Sequence, residues 1–153
     1  MKLLALDVGD RRVGVAASDA TGLIATPLTV VRRASKAEDF AKIARLVREQ
    51  GVEGLVIGHP LDQDGRAGPQ AQRVERYAAA LDEALRAEGL GVPLLLWDER
   101  MSTQRAQEAM IAAGRKAKDR QARIDAVAAA VILQDYLDEQ RQPAQGVEPL
   151  PGR

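Results

Sequence analysis

Apolar and polar residues alternate along the first part of the chain in short runs that are typical of β-strands. Three such runs follow one another, with the turn Gly9-Asp10-Arg11-Arg12 after the first and Gly22 after the second. Short turns between strands predict a three-stranded antiparallel meander. The predicted strands are Leu3–Val8, Val13–Ala17 and Leu23–Val31.

After the meander, sequence patterns typical of helices alternate with patterns typical of strands. Ser35 with Glu38 forms a capping-box pattern, which predicts a helix that Gly51 ends. The later predicted elements are a strand at 53–58, a loop from His59 to about Gly68, a helix at 69–87, a strand at 92–97, a helix from Ser102 or Thr103 to Gly114, and a last helix ending near Gln142.

This order of elements predicts an α/β fold. Three hairpin-connected strands followed by α/β units give a five-stranded mixed sheet in the spatial order 3-2-1-4-5, with helices on both faces. The first strand then lies at the centre. We expect one domain over residues 1–142 and a flexible tail over 143–153, because the tail has three prolines and two glycines.

Composition narrows the chemistry that the chain can carry. Its 153 residues include no cysteine and one histidine, His59, which excludes disulfides and zinc sites built on thiolates or paired imidazoles. A metal would therefore be a hard cation held by carboxylates. Twenty-two basic residues balance twenty-two acidic ones and only four residues are aromatic, so we expect any contact with nucleic acid to be local and aimed at phosphates. No run spans a bilayer and no signal peptide precedes Asp7, which predicts a cytoplasmic protein without a membrane partner.

Several acidic residues stand where apolar ones are expected. Asp7 ends the first strand, where ligand sites of α/β sheets gather, although an aspartate before a glycine can also simply order a turn. Asp125 begins an apolar face of the last helix, so its burial calls for a cation, a salt bridge to Arg100 or Arg123, or a place at the helix N-terminus. The apolar members of that face are Ala128, Ala129, Ile132 and Tyr136.

Asp98 and Glu99 follow the fifth strand. Because adjacent strand residues point to opposite faces, we expect only one of them to reach the same place as Asp7. Three converging carboxylates repel one another, and one or two Mg²⁺ or Mn²⁺ ions would relieve that repulsion. Such a site supports in-line displacement at phosphorus, with an ion activating water.

Four motifs in this sequence resemble those of the YqgF/RuvX family and span residues 3 to 138 in family-like order and spacing. They are Leu6-Asp7-Val8-Gly9-Asp10-Arg11-Arg12-Val13-Gly14 with Ser18-Asp19; Ile57-Gly58-His59-Pro60-Leu61-Asp62 running to Gly68-Pro69-Gln70; Asp98-Glu99-Arg100-Met101-Ser102-Thr103; and Ile124-Asp125-Ala126 with Ala128 and Ala129. The complete set is far more specific than a single Asp-x-Gly.

The resemblance implies an RNase H-like fold and a nuclease. In relatives the role is described as processing the 5′ end of 16S ribosomal RNA precursors or as resolving Holliday junctions, with links to DNA recombination and repair. Carried over to this chain, the catalytic and metal-binding acids are Asp7, Glu99 and Asp125. Asp19 and Asp98 are the candidates for a fourth ligand. His59 departs from the family pattern, which has an aliphatic residue there, and is either a plain loop residue or a substrate or proton-transfer contact.

Basic residues around these acids predict contacts with substrate phosphates. Arg11 and Arg12 lie in the first turn, and Arg100 follows Glu99. A basic stretch before Asp125 contributes Lys116, Lys118 and Arg123, although a solvated charged linker has the same composition.

Two other classes of function stay open on sequence. An actin-like nucleotide-binding domain also opens on Asp-x-Gly, but it needs a second domain, and this chain has no P-loop. A non-catalytic RNA- or ribosome-binding module could keep the fold and the acids. If the substrate is a symmetric four-way junction, a homodimer is expected, because two opposed strands must be cut.

Overall fold

A five-stranded mixed sheet forms the centre of the protein. The computed structural model describes the backbone of residues 1–99 and 117–146, and the side chains of 1–99 and 124–141. The strands are β1 (Leu3–Val8), β2 (Arg12–Ser18), β3 (Ala25–Arg32), β4 (Gly54–His59) and β5 (Leu94–Asp98). Their spatial order is β3-β2-β1-β4-β5, with β1–β2 and β2–β3 antiparallel and β1–β4 and β4–β5 parallel. The predicted order and the central position of β1 are confirmed.

Two helices, α1 (Lys36–Gln50) and α2 (Pro69–Ala87), pack on one face of this sheet. Ser35 caps α1 by accepting a hydrogen bond from the Glu38 backbone N–H at 3.2 Å, and Gly51 ends the helix in the left-handed conformation at φ 62°. The core on this side includes Leu4, Leu6, Val13, Val15, Leu55, Ile57, Phe40, Ile43, Val74 and Leu81. Strand alternation explains the set, since every second residue of a strand points to this face.

The third described helix, α3 (Ala117–Gly146), covers the opposite face. Its side of the sheet presents small residues such as Ala5 and Ala16, against which Ala129, Ile132 and Leu133 are buried. Small side chains let the helix lie close to the strands, and at Gly14 the strand has no side chain at all. A Cβ on Gly14 would overlap the backbone carbonyl oxygen of Asp125.

Some predicted boundaries differ from those observed. α3 continues to Gly146, past the predicted end at Gln142, and it already includes Ala117, at the basic stretch that precedes Asp125 in the sequence. β3 begins at Ala25 rather than Leu23, because the Asp19 carboxylate accepts hydrogen bonds from the backbone N–H groups of Leu23 and Ile24 and holds them in a turn. The helix predicted from Ser102 or Thr103 to Gly114 lies outside the described residues, as does the tail beyond Gly146. Of the helices that are described, none is long and apolar enough to cross a bilayer.

Candidate active site at the carboxyl edge of the sheet

Asp7 lies near the carboxyl end of the central strand and faces α3. It is paired across the ladder with Gly14 of β2, and cross-strand partners point to the same face. Leu3 and Ala5, which share its alternation along β1, belong to the core beneath α3. Asp7 is a partly buried carboxylate among the β1 residues that face α3, and hydrophobic packing does not explain an acid there.

Glu99 reaches the same face from two strands away. It directly follows β5, and its carboxylate lies above Gly58 of β4, where a Cβ would overlap Oε2 and come within 3.0 Å of Cδ. Because β1, β4 and β5 are parallel, their carboxyl ends meet at one edge of the sheet. Trp97, two residues earlier, is packed on the α3 side, which agrees with a Glu99 side chain directed to that face.

Asp125 approaches from the helix. Its peptide lies directly over Gly14, the ladder partner of Asp7, so the fold places these two acids next to each other. The Asp125 carboxylate also forms an ion pair with Arg12 at the start of β2, with 2.6 Å between Oδ2 and Nε. This bond ties α3 to β2, and it takes up one oxygen of the carboxylate.

Electrostatics couple the three acids through Asp7. Burial, and then the negative charge of Asp125, raises the pKa of Asp7 to about 6. Burial, and then the charges of Asp7 and Asp98, raises the pKa of Glu99 to about 7. Two buried acids with pKa values near neutrality are groups that a nearby cation would relieve.

The fit to a metal ion is partial. Carboxylate oxygens are the ligands that Mg²⁺ and Mn²⁺ prefer, so the kind of ligand is right. However, within the described ranges no three acidic or histidine side chains are grouped closely enough to hold an ion together. The charge of Asp7 acts on Glu99 and raises its pKa, whereas Asp125 forms an ion pair with Arg12.

The two candidates for a fourth ligand occupy different places. Asp19 follows β2 at the amino end of β1, because Leu3 N–H donates to Ser18 Oγ there at 2.8 Å. Asp19 therefore lies at the opposite edge of the sheet from Asp7, and the prediction that it could be a ligand is wrong. Asp98 is the last residue of β5, and its charge contributes to the raised pKa of Glu99.

The predicted substrate-binding residues are distributed unevenly. Arg11 is exposed in the β1–β2 turn beside the site, and Arg12 is the partner of Asp125. His59 lies at the end of β4, on the same edge, with its Nε2 2.7 Å from Glu75 Oε2 of α2. Arg100 and Lys116 lie outside the described residues. The backbones of Lys118 and Arg123 belong to α3, and their side chains also lie outside the described part.

Gly14 and Gly58 are positions of the candidate site that sequence reasoning did not single out. Each removes a side chain at the point where an acidic residue must pass close to a strand, Asp125 over Gly14 and Glu99 over Gly58. A glycine inside a strand is a recognised sign of close approach by another group, so the signal was present in the sequence. What it could not reveal was which group approaches.

The sheet order and the acids at its carboxyl edge define the class of protein, an RNase H-like α/β fold. The chain is similar to *Thermus thermophilus* RuvC solved in complex with a Holliday junction substrate, with a TM-score of 0.57, 16% identity, and coverage of 92% of this chain and 96% of that one. It is also similar to the fowlpox virus resolvase solved with Holliday junction DNA, with a TM-score of 0.51, 10% identity, and coverage of 92% and 99%. At these identities the likeness shows the fold alone.

Comparison of the sequence identifies the family, which the likeness of fold does not. The model of the family described as "RuvX: Holliday junction resolvase" matches residues 1–139, and this chain belongs to that family. A protein of *Chloroflexus aurantiacus* is 44% identical over 149 residues, covering 97% of this chain and 94% of the relative. One of *Thermoanaerobacter pseudethanolicus* is 41% identical over 143 residues, covering 92% and 99%. Both relatives carry the name "Putative pre-16S rRNA nuclease".

Proposed function

We propose that this protein is a nuclease that hydrolyses phosphodiester bonds of structured nucleic acid with the help of Mg²⁺ or Mn²⁺. The observation that carries the proposal is the convergence of Asp7, Glu99 and Asp125 at one edge of the sheet, where Gly14 and Gly58 let the acids approach. Their electrostatic coupling agrees with it. Membership of the RuvX family and the RuvC-like fold support the same reading. Burial of charged acids has an energetic cost, which a bound divalent cation would offset.

Asp7 and Glu99 are the residues that would hold the ion. Bound there, a divalent cation would supply an activated water and would stabilise the leaving oxygen. Asp125 would join them when its ion pair with Arg12 separates, and Arg12 would then be available to a substrate phosphate. Arg12 in this scheme is a positioning residue that alternates between a carboxylate and a phosphate.

The substrate class follows from the family and its relatives. The relatives named above suggest precursor 16S ribosomal RNA, and the family description suggests four-way DNA junctions. Both are structured polyanions, which a neutral chain would recognise by local phosphate contacts. If the junction is the substrate, we propose that the protein acts as a two-fold homodimer.

The test compares cleavage of a four-way junction with cleavage of a precursor-rRNA mimic, each with Mg²⁺, Mn²⁺ or a chelator. We expect cleavage to need a metal, and Asp7→Asn, Glu99→Gln or Asp125→Asn each to lower turnover about 100-fold or more, because each weakens the binding or placement of the ion. Glu49→Gln is the matched control. Glu49 is exposed in the last turn of α1, which ends near the opposite edge of the sheet, and its substitution should leave turnover unchanged.

Metal-independent cleavage, or full activity in Asp7→Asn, would exclude this mechanism. Binding of either nucleic acid without any cleavage would instead favour the second candidate, a non-catalytic RNA-binding module of the same fold. Solution mass measured with and without junction DNA tests the homodimer separately.

A further inference from the structure

The turn between β1 and β2 is held from the face of the sheet that is opposite the Asp7 side chain. Arg33, the first residue after β3, donates from its backbone N–H to the Arg11 carbonyl oxygen at 2.8 Å. Its side chain donates from Nη1 to the Gly9 carbonyl oxygen, also at 2.8 Å. One residue therefore fixes two carbonyl groups of the turn that joins Asp7 to Arg12.

Asp39 and Tyr77, on the α1 and α2 side of the sheet, determine where the Arg33 guanidinium lies. Asp39, in the first turn of α1, is 1% exposed, and its Oδ2 lies 3.8 Å from Arg33 Nε. The guanidinium carbon lies 4.9 Å from the centre of the Tyr77 ring of α2. A planar guanidinium that lies over an aromatic ring beside a buried carboxylate has little freedom to turn. Its donors are therefore held in a fixed direction.

The distances separate the bond to the turn from the charge pairing with Asp39. The 2.8 Å between Arg33 Nη1 and the Gly9 oxygen is an ordinary hydrogen bond, whereas the 3.8 Å to Asp39 is longer than one. Asp39 also accepts a hydrogen bond of its own, from the Ala34 backbone N–H at 3.0 Å. Asp39 thus supplies the charge that orients Arg33, and the turn receives the short bond. Arginine suits both tasks at once, because its five N–H donors point in different directions.

The turn held in this way carries groups of the candidate active site at both of its ends. Asp7 lies two residues before Gly9, and Arg12 pairs with Asp125 of α3 at 2.6 Å. A displacement of the turn would move Arg12 relative to Asp125 and would shift the end of β1 that carries Asp7. Because a displacement of about 1 Å can lower turnover about 100-fold, the place of this turn matters for catalysis.

We propose that Arg33 is a positioning residue of the candidate active site, and that it holds the β1–β2 turn so that Asp7 and Arg12 keep their places relative to Asp125. It acts through two backbone carbonyl groups of the turn. The effect on catalysis rests on the proposed nuclease function, whereas the hold on the turn does not.

Hydrogen exchange of the metal-free full chain, followed by NMR, tests the hold on the turn. Arg33→Met nearly keeps the length of the side chain and removes its donors, and Arg33→Met/Asp39→Asn also removes the buried charge that would be left unpaired. The reporter is the Gly9 N–H, which donates to the Arg12 carbonyl oxygen at 2.9 Å. We expect it to exchange about tenfold faster in both variants, because a charge-assisted bond is lost, while the double variant keeps the protection of the β1–β4 ladder.

Turnover of the same variants tests the effect on catalysis. If Arg33 only neutralised Asp39, the double variant, which has no unpaired charge, would cleave as the parent does. We expect instead that kcat is about tenfold lower in the double variant, and that Arg33→Lys, which keeps a charge and a donor, recovers part of the loss. Arg48→Met is the matched control. It removes an exposed arginine of α1 that pairs with Glu88 at 2.7 Å, and it should change neither turnover nor the exchange of Gly9.

The outcomes distinguish this role from the nuclease function itself. Unchanged exchange of Gly9 in the double variant would refute the hold on the turn. Faster exchange with parental turnover would refute the positioning role and leave Arg33 as a counter-ion of Asp39. A parent chain that cleaves neither nucleic acid would overturn the catalytic step together with the nuclease function, while the exchange rates would still decide the hold on the turn.

Discussion

The acids at the carboxyl edge should make the metal-free protein less stable than it could be, and Asp7→Asn measures by how much. The pKa of Asp7 is raised from 3.8 to about 6, so its charged form is disfavoured in the folded state. At about 1.4 kcal/mol per pKa unit, this shift corresponds to about 3 kcal/mol above pH 7. Asparagine has the same shape without the charge, and its imperfect hydrogen bonding lowers the expected gain to about 1–3 kcal/mol.

The gain in stability from Asp7→Asn must increase as the pH rises. Between about pH 4 and 6 the folded protein binds more protons at Asp7 than the unfolded chain does, so the stability of the parent falls as pH rises through this window. The difference between Asp7→Asn and the parent is therefore near zero below pH 4 and complete above pH 7. Since the charge of Asp7 also raises the pKa of Glu99, the substitution should move that pKa down from about 7 as well.

Urea unfolding in chelator at pH 4, 6 and 8 is the assay, with NMR titration of Glu99 as the second readout. The midpoint should rise with an unchanged slope. Asp19→Asn is a control of opposite sign. Its pKa is lowered, chiefly by the hydrogen bond from the Leu23 backbone, so removing its charge should destabilise the fold at neutral pH, and this effect should fade in acid. An Asp7→Asn protein that is no more stable than the parent at pH 8, or a gain that persists at pH 4, would refute the reasoning.

Two further predictions follow from the contacts of Asp125. Gly14→Ala should cost about 1–3 kcal/mol in urea unfolding, because the new methyl group overlaps the Asp125 backbone, whereas Gly91→Ala, in open space, should be nearly neutral. Arg12→Gln should strengthen Mn²⁺ binding, measured by calorimetry, since it removes the positive charge that competes with the ion for the Asp125 carboxylate, and should weaken nucleic-acid binding. Equal stability of the two alanine variants, or Mn²⁺ affinity unchanged in Arg12→Gln, would contradict the geometry.

Much of the fold is predictable because its signals are local. The period-two runs and turn residues specify the meander, and Ser35, Gly51 and Pro69 mark helix ends that the structure reproduces. The order of the strands follows from the alternation of helices with parallel strands. The start of β3 was missed because a single carboxylate, Asp19, competes with the ladder for two backbone N–H groups.

The candidate site is harder to predict from the sequence than the fold is, because it depends on contacts between elements that are distant in the chain. Strand alternation predicts that only one of Asp98 and Glu99 shares a face with Asp7, and the resemblance to the family selected Glu99. The pairing of Arg12 with Asp125 joins residues at opposite ends of the chain, and either of two other arginines was an equally reasonable partner.

The two glycines explain why the acids can be brought together at all. An acid on a strand and an acid on a covering helix are normally separated by the layer of side chains between them. Gly14 removes that layer beneath Asp125, and Gly58 removes it beneath Glu99, on the strands that flank β1 on either side. Asp7 is thereby placed between Glu99 and Asp125. Burial is the main cause of its raised pKa, and the charge of Asp125, which Gly14 allows to approach, adds to the rise. The strand glycines, as much as the carboxylates, are what the sequence must supply for three acids to converge at this edge of the sheet.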